Sequence, residues 1–280
     1  MIDTQFLAGL ERFNLIVRKR VTSNLSGPRR SIAQGRGMVF KDHRAYAPGD
    51  DFRAIDWRVY ARTDDLMIKN YEEERNLVVH IIVDKSLSMR FGNKFDYASM
   101  LAIGYAYLAL KNNDKFQFST FSNELDVYQP ERGVSQLLAM VDYLNNMKLK
   151  GKTDILSMAQ KYRKIIGSRS LIVLISDFLL PVEKIKQALY YFQENEVDVI
   201  RVLDKRETNL DMEGDFKLKD SESNDKMRAY ISPMMREKYI ERLKKHTQDV
   251  EHECMTRGMK FSQISTDMPI FDAFYNILGY

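Results

Sequence analysis

Oxygen-bearing side chains stand at three points of this chain where an apolar run has just ended or a helical pattern is about to begin. Leu77–Val83 is followed by Asp84-Lys85-Ser86-Leu87-Ser88, and Leu171–Ile175 by Ser176-Asp177. Between them, Gly151-Lys152-Thr153-Asp154 precedes a helical stretch. From these loops Asp84, Ser86, Ser88, Thr153 and Asp177 offer two carboxylates and three hydroxyls. Such a donor set suits a hard divalent cation, because magnesium takes oxygen ligands in octahedral geometry and usually keeps several waters. With only two anionic ligands from the protein, a bound Mg2+ or Mn2+ stays electrophilic and would accept a carboxylate from another molecule. That chemistry serves adhesion as well as catalysis.

Each of these residues also has an ordinary structural use. Ser86 or Ser88 could cap the helix that follows, Thr153 or Asp154 could cap the one from Ile155, and Asp177 could be a turn residue after its strand. A catalytic alternative treats Asp84 as the nucleophile of a magnesium-dependent phosphohydrolase, since carboxylates do form acyl-phosphates. Haloacid-dehalogenase-like phosphatases carry a second acid two residues on, where this chain has Ser86. There is no GxxxxGK[ST] phosphate loop, no HExxH and no GxSxG elbow. His43, His80, His246 and His252 are scattered, with His80 inside a strand run and His246 on an apolar helix stripe, so no general base is evident.

The elements that must position the loops alternate. Continuous apolar runs read as strands buried on both faces. Strands are expected at Leu77–Val83, Lys115–Phe121, Leu171–Ile175, Val197–Leu203 and Met259–Ser265. Helical periodicity marks Phe95–Leu110, Val134–Met147, Ile155–Ile165, Val182–Gln193, Pro233–Arg257 and Pro269–Leu278. The pattern predicts an α/β, doubly wound, mostly parallel sheet, in which ligands bind beyond the carboxyl ends of strands. One polar interruption, 205–232, predicts a surface β-hairpin insertion built on Phe216-Lys-Leu and Met227-Arg-Ala-Tyr. Ahead of the sheet come a helix at about Thr4–Lys19, a turn-rich stretch Ser23–Gly37, a turn at Ala47-Pro48-Gly49-Asp50, and short strands near Met38–Phe40 and Leu66–Tyr71. The expected division is 1–75, a helix and extended segment packed on the rest, and 76–280, the sheet domain with its insertion.

Composition sets outer limits. The chain has 280 residues, 44% hydrophobic and 29% charged, which is ordinary for a folded soluble protein. A lone cysteine, Cys254, excludes an internal disulfide framework and fits a reducing compartment. No apolar run approaches the roughly 20 residues of a membrane span, and the first 20 residues lack a signal-peptide core, so a cytoplasmic location is expected. Between Arg18 and Arg62 there are 11 Lys or Arg against 4 Asp. A nucleic acid could use that excess, but the region lacks regularly interleaved aromatics, and pairing with Asp42, Asp50, Asp51 and Asp56 is the plainer account.

The five site residues, in this order, resemble the von Willebrand factor A family, whose metal-ion-dependent adhesion site uses DxSxS, a later threonine and a later aspartate. Further stretches narrow the resemblance. Gly35-Arg-Gly-Met-Val-Phe40, Arg44-Ala-Tyr-Ala-Pro-Gly-Asp-Asp51, Arg53-Ala-Ile-Asp-Trp57, Ala61-Arg62, Glu72–Glu74 and Ile175-Ser-Asp-Phe178 are similar to the bacterial domain-of-unknown-function 58 family. The resemblance implies a von Willebrand A-like domain, in a short soluble form, acting without enzymatic chemistry of its own. It also implies a MoxR-type AAA+ ATPase as partner, in chaperone-like maturation or stress response. Within Pro48–Arg62, the residues Asp50, Asp51, Arg53, Asp56, Arg58 and Arg62 are expected to form an ion-pair network around Trp57, with a docking surface for the ATPase as the alternative.

Overall fold

The computed structural model describes residues 2, 5–13, 39–72, 78–128, 133–167, 170–210, 214–219 and 226–279. The expected turn-rich stretch Ser23–Gly37, the ends of the first expected helix (Thr4 and 14–19, with Val17) and the residues from Gly35 to Met38 lie outside them. The chain divides into two units, Met1–Thr22 with Leu77–Tyr280, and Ser23–Asn76. The first helix, α1 (5–13), therefore belongs with the sheet, whereas the division drawn at residue 75 groups it with the segment that follows it.

In the larger unit, a six-stranded sheet contains β3 (Val78–Asp84), β4 (Lys115–Phe121), β5 (Leu125–Tyr128), β6 (Leu171–Ser176), β7 (Glu196–Leu203) and β10 (Lys260–Ser265), in the order β10-β7-β6-β3-β4-β5. All pairs are parallel except β4 with β5. This is the expected doubly wound α/β class. The edge strand β5 was not foreseen, because its four half-buried residues carry too little pattern.

Side chains alternate across a strand, so the sheet feeds two cores. Val79, Ile81 and Val83 join α3 (Lys94–Lys111), α4 (Val134–Asn145) and α9 (Ile270–Leu278) on one face. On the other face Ile82 joins α5 (Ile155–Tyr162), α6 (Val182–Tyr190) and the carboxyl half of α8 (Pro233–Met255). Helix α1 adds Phe6, Leu10 and Phe13 to the first core, with the Phe13 ring 5.5 Å from Phe274 and 5.0 Å from Tyr275 of α9. Gly104 of α3 is needed there, since a Cβ would collide with the Phe274 ring. His80 is a core residue of the second face, 3.0 Å from the Tyr162 hydroxyl. The expected hairpin insertion forms as β8 (Gly214–Lys219) against β9 (Lys226–Ile231), preceded by the short helix α7 (Lys205–Asn209). Among the described residues no helix is long and apolar enough to cross a membrane.

The smaller unit pairs β1 (Val39–Ala45) antiparallel with β2 (Met67–Glu72). Between them, the expected turn closes through Asp50 N–H to the Ala47 carbonyl at 3.1 Å. A single 3-10 turn, Phe52–Ala54, is capped by Asp51, and helix α2 (Trp57–Thr63) is capped by Asp56. The expected ion-pair network takes a different form. Asp50 pairs with Arg44 at 2.6 Å, and Asp56 with His43 at 3.0 Å and Lys69 at 3.4 Å, while Trp57 stands 57% exposed rather than at the centre. The cause is local: Asp51 and Asp56 cap the backbone N–H groups of Arg53 and Arg58, and the Asp56 carboxylate then meets His43 of β1 and Lys69 of β2 rather than an arginine.

Candidate functional site

A parallel sheet whose first strand lies at its centre must reverse direction beside it. Here β4 adds to one side of β3 and β6 to the other, so the carboxyl ends of β3 and β6 meet at a switch point, where α/β proteins place ligands. Asp84 ends β3, and Asp177 follows β6 directly.

Backbone hydrogen bonds carry the third loop to the same place. Leu87 N–H donates to the Gly151 carbonyl at 3.1 Å, Lys150 N–H to the Lys85 carbonyl at 3.1 Å, and Asp154 N–H to the Ser122 carbonyl at 3.2 Å. Gly151 has φ +81°, and a Cβ there would overlap the Asn123 amide oxygen, so the loop can lie this close only with glycine. Asp154, one residue beyond Thr153, takes the helix cap of α5 by accepting from Ser157 N–H at 3.1 Å. Thr153 is thereby released from the capping role.

The Asp84 carboxylate collects neutral donors. Oδ1 accepts the Ser86 N–H at 2.8 Å, and Oδ2 accepts the hydroxyls of Ser176 at 2.7 Å and Thr153 at 3.2 Å. Ser86 and Ser88 share a hydrogen bond between their Oγ atoms at 2.9 Å. Asp84 and Ser86 are fully buried, whereas Ser88 and Thr153 are half-buried and mark the side open to solvent. Ser86 heads the 3-10 turn Leu87–Arg90 without a side-chain cap. Four of the five expected residues are thus joined in one hydrogen-bonded group.

Asp177 neighbours that group, near enough for its charge to act on Asp84, but its own described hydrogen bonds go to other residues. Its Oδ1 accepts Leu179 N–H at 3.3 Å, its Oδ2 accepts the Lys94 ammonium at 2.8 Å, and its carbonyl accepts Arg201 Nε at 3.0 Å. Burial pushes the Asp84 carboxyl up to about 7, the charge of Asp177 adds to that, and the hydrogen bonds from Ser176 and Ser86 only partly offset it. For Lys94, burial pulls downward, but Asp177 and Glu207 outweigh it and hold the ammonium above its ordinary value.

Charge and donor chemistry decide whether a cation fits here. Lys94 answers Asp177 and Glu207, whereas among the described residues no cation is paired with the buried Asp84 carboxyl. An uncompensated buried carboxylate is costly, and a cation beside Asp84 relieves it. Among the described residues no three His, Cys, Asp or Glu side chains converge as a metal-holding group. An ion at this place therefore depends on the hydroxyls of Ser86, Ser88 and Thr153. The set fits a hard divalent ion and not a soft one.

Three participants escaped the sequence reading. Ser176 follows Ile175, which is in register with Val83 across the parallel pair, so Ser176 stands beside Asp84. Lys94 lies three, seven and eleven residues before Tyr97, Leu101 and Tyr105, on the buried stripe of α3. A charged residue on such a stripe was a readable signal. Glu207 had none, since only the fold brings α7 to Lys94 at 2.7 Å.

The chain is 26% identical to the uncharacterized protein Rv1480 of Mycobacterium tuberculosis over 273 residues, 95% of this chain and 86% of that one. Among solved structures it is similar to the conserved hypothetical protein BatB of Bacteroides thetaiotaomicron, at 14% identity and TM-score 0.44, over 72% of this chain and 97% of that one. It is also similar to the SpRpn10 VWA domain, at 13% identity and TM-score 0.43, over 71% and 94% of the two chains. The family described as "Protein of unknown function DUF58" matches residues 42–249, and the chain belongs to that family.

Proposed function

We propose that this chain is a protein-interaction module. It binds one divalent cation, Mg2+ or Mn2+, at Asp84, Ser86, Ser88, Thr153 and Asp177, and captures an acidic group of a partner there. The observation that carries the reading is the placement of Asp84. Among the described residues this buried carboxyl at the switch point is bonded by hydroxyls and an N–H and by no cation.

In this reading Ser86, Ser88 and Thr153 supply neutral oxygen ligands, and Asp84 and Asp177 supply the charge, Asp84 from behind the hydroxyls it binds. Ser176 and the Ser86 N–H hold the Asp84 carboxylate in orientation. The ion's chemistry is Lewis acidity toward an oxygen anion from outside. The half-buried Ser88 and Thr153 leave room on the solvent side for that anion. Proton transfer is not required of any residue. The alternative, a phosphohydrolase using Asp84 as nucleophile, asks a fully buried, hydrogen-bonded carboxylate to reach a phosphorus atom, and the geometry favours capture.

The family resemblance names a partner class: a MoxR-type AAA+ ATPase, a client bearing an exposed acidic residue, or both, in the cytoplasm. Titration calorimetry with MgCl2 and MnCl2 on the intact protein and on Asp84→Ala tests the ion site. Heat of binding in the first and none in the second is expected; equal uptake by both removes the site. Pull-down from the native cell with and without chelator tests capture, which should require the ion. Metal-dependent turnover of generic phosphate esters would instead establish the hydrolase.

A further inference from the structure

Lys94 is the part of this site that ion capture does not use. Lysine is almost never fully buried unless paired, and here the side chain is 1% exposed. Its ammonium donates to Asp177 Oδ2 at 2.8 Å and to Glu207 Oε1 at 2.7 Å. Glu207 is itself fixed, because its Oε2 accepts the Asp204 N–H at 2.9 Å in the capping box of α7. Helix α7 is held in turn against the loop before α3. The Asp204 carboxylate fills the space a Cβ at Gly92 would need, and the Arg206 guanidinium stacks 4.7 Å from the Phe91 ring.

Burying an ion pair is a poor route to stability, since desolvation commonly exceeds the attraction gained. A hydrophobic residue at the head of α3 would pack that stripe as well. The position of the pair matters more than its energy. One carboxylate oxygen that could face an ion is occupied by an ammonium group, held in place by a second acid from a different element.

We propose that Lys94 is a built-in counter-cation that shares Asp177 with the ion site and keeps that site weak for a divalent cation on its own. This rests on the ion-site reading above and goes beyond it. With Asp177 shared, the ion lacks part of its charge balance until an acidic group from a partner supplies it. Ion and partner then bind cooperatively, because each brings the charge the other needs. Lys94 is a positioning residue in this scheme and touches neither ion nor partner.

The test is calorimetric titration of MgCl2, and separately MnCl2, into the full chain and four variants, with far-ultraviolet circular dichroism to confirm folding. Lys94→Met frees Asp177 and removes a charge close to a divalent ion, where Coulomb interactions are strong. Its affinity should rise about tenfold or more over the unaltered protein. Lys94→Arg keeps the charge on Asp177 and, where it folds, should bind the ion less tightly than Lys94→Met. Glu207→Gln leaves the ammonium wholly on Asp177 and should weaken binding. If Lys94→Met fails to fold around the unpaired Glu207, the double variant Lys94→Met/Glu207→Gln removes both charges and should still bind more tightly than the unaltered protein. Unchanged or weaker affinity in the folded Lys94→Met or double variant, with the unaltered protein binding normally, overturns the role of Lys94 and leaves the ion site standing. No binding by any form, the double variant included, overturns both.

Discussion

Two aspartates, one in each unit, show how the same side chain can be finished or unfinished. Asp56 caps α2 through Arg58 N–H at 3.0 Å and meets His43 and Lys69, so its carboxylate is fully answered by its own neighbours. The hydrogen bond from His43, with the Arg58 N–H and the Lys69 charge, holds it down at about 2. Asp84 has hydrogen-bond donors as well, but all are neutral, and burial together with Asp177 lifts it to about 7. Hydrogen bonds favour the charged form at both; at Asp84 burial and the like charge of Asp177 outweigh them, and at Asp56 they prevail with the help of Lys69. On the proposed reading, the difference separates an aspartate that holds a turn together from one that serves an ion from outside the chain.

The largest expected effect breaks the comparison at its centre. Asp84→Ala should abolish divalent-ion binding, while Asp56→Ala should leave it unchanged and instead lower the thermal unfolding midpoint by removing a helix cap. Both readings come from paired calorimetry and thermal melts. Should Asp56→Ala cost as much ion affinity as Asp84→Ala, the distinction between the two aspartates is lost.

A smaller effect is expected around Asp84. Ser176→Ala removes a hydroxyl that bonds the Asp84 carboxylate without being among the five residues proposed to bind the ion. Loss of such supporting partners typically weakens metal affinity by about 10- to 100-fold. Thr153→Val, at a residue assigned as a ligand, should cost at least as much. The ranking is the informative part: if Ser176→Ala is silent while Thr153→Val is not, the Asp84 orientation is set by the Ser86 N–H alone.

How much of this was legible before any coordinates follows from the range of each interaction. The sheet class came through because β3, β6 and β7 are rich in Val, Ile and Leu and buried over most of their length, a pattern local enough to read, whereas the order of the strands was not. Asp84, Ser86 and Ser88 could be grouped because they lie within five residues after such a strand. Thr153 and Asp177 could be added because each stands in a loop at a strand end or helix start, and the resemblance then gave the five an order. Lys94 left a readable trace as a charge on an apolar stripe, but Glu207 did not, since its role depends on α7 folding back after β7. In the smaller unit, the charges were read correctly as forming pairs and incorrectly as to partners. Helix caps bind acids within two residues and so turn them away from arginines that lie nearby in sequence.

A pH series sharpens the comparison from the side of a third buried group. Desolvation lowers His80 from 6.5 to about 4, so the folded chain keeps the ring neutral where the unfolded chain would protonate it. The sign follows directly. Above about pH 6.5 neither state takes the proton and stability is full; as pH falls toward 4 only the unfolded state gains it, and stability is lost. Between about pH 8 and pH 5 this amounts to roughly 2 kcal/mol. His80→Leu should remove that part of the slope in urea melts, leaving the Tyr162 hydroxyl with Ser119 at 3.4 Å. An unaltered slope in His80→Leu means that the acid sensitivity resides in other groups.

The smallest stability effect is expected where the smaller unit is most exposed. Phe52 and Trp57 are 64% and 57% exposed, and the Trp57 ring meets Tyr60 edge-on at 6.1 Å. Truncating an exposed side chain away from caps and core usually changes stability by less than about 0.5 kcal/mol, so Trp57→Ala should melt with the unaltered protein. Its value lies in that silence. A variant that folds, binds the ion as before and yet captures less of an AAA+ ATPase in pull-down would place a second contact on the Ser23–Asn76 unit, independent of Asp84. Capture that falls only with Asp84→Ala, and never with Trp57→Ala, confines recognition to the ion site and leaves the aromatic surface without a part in it. Exposure measures what an aromatic does not contribute to its own fold, and the pull-down asks whether that omission has a use.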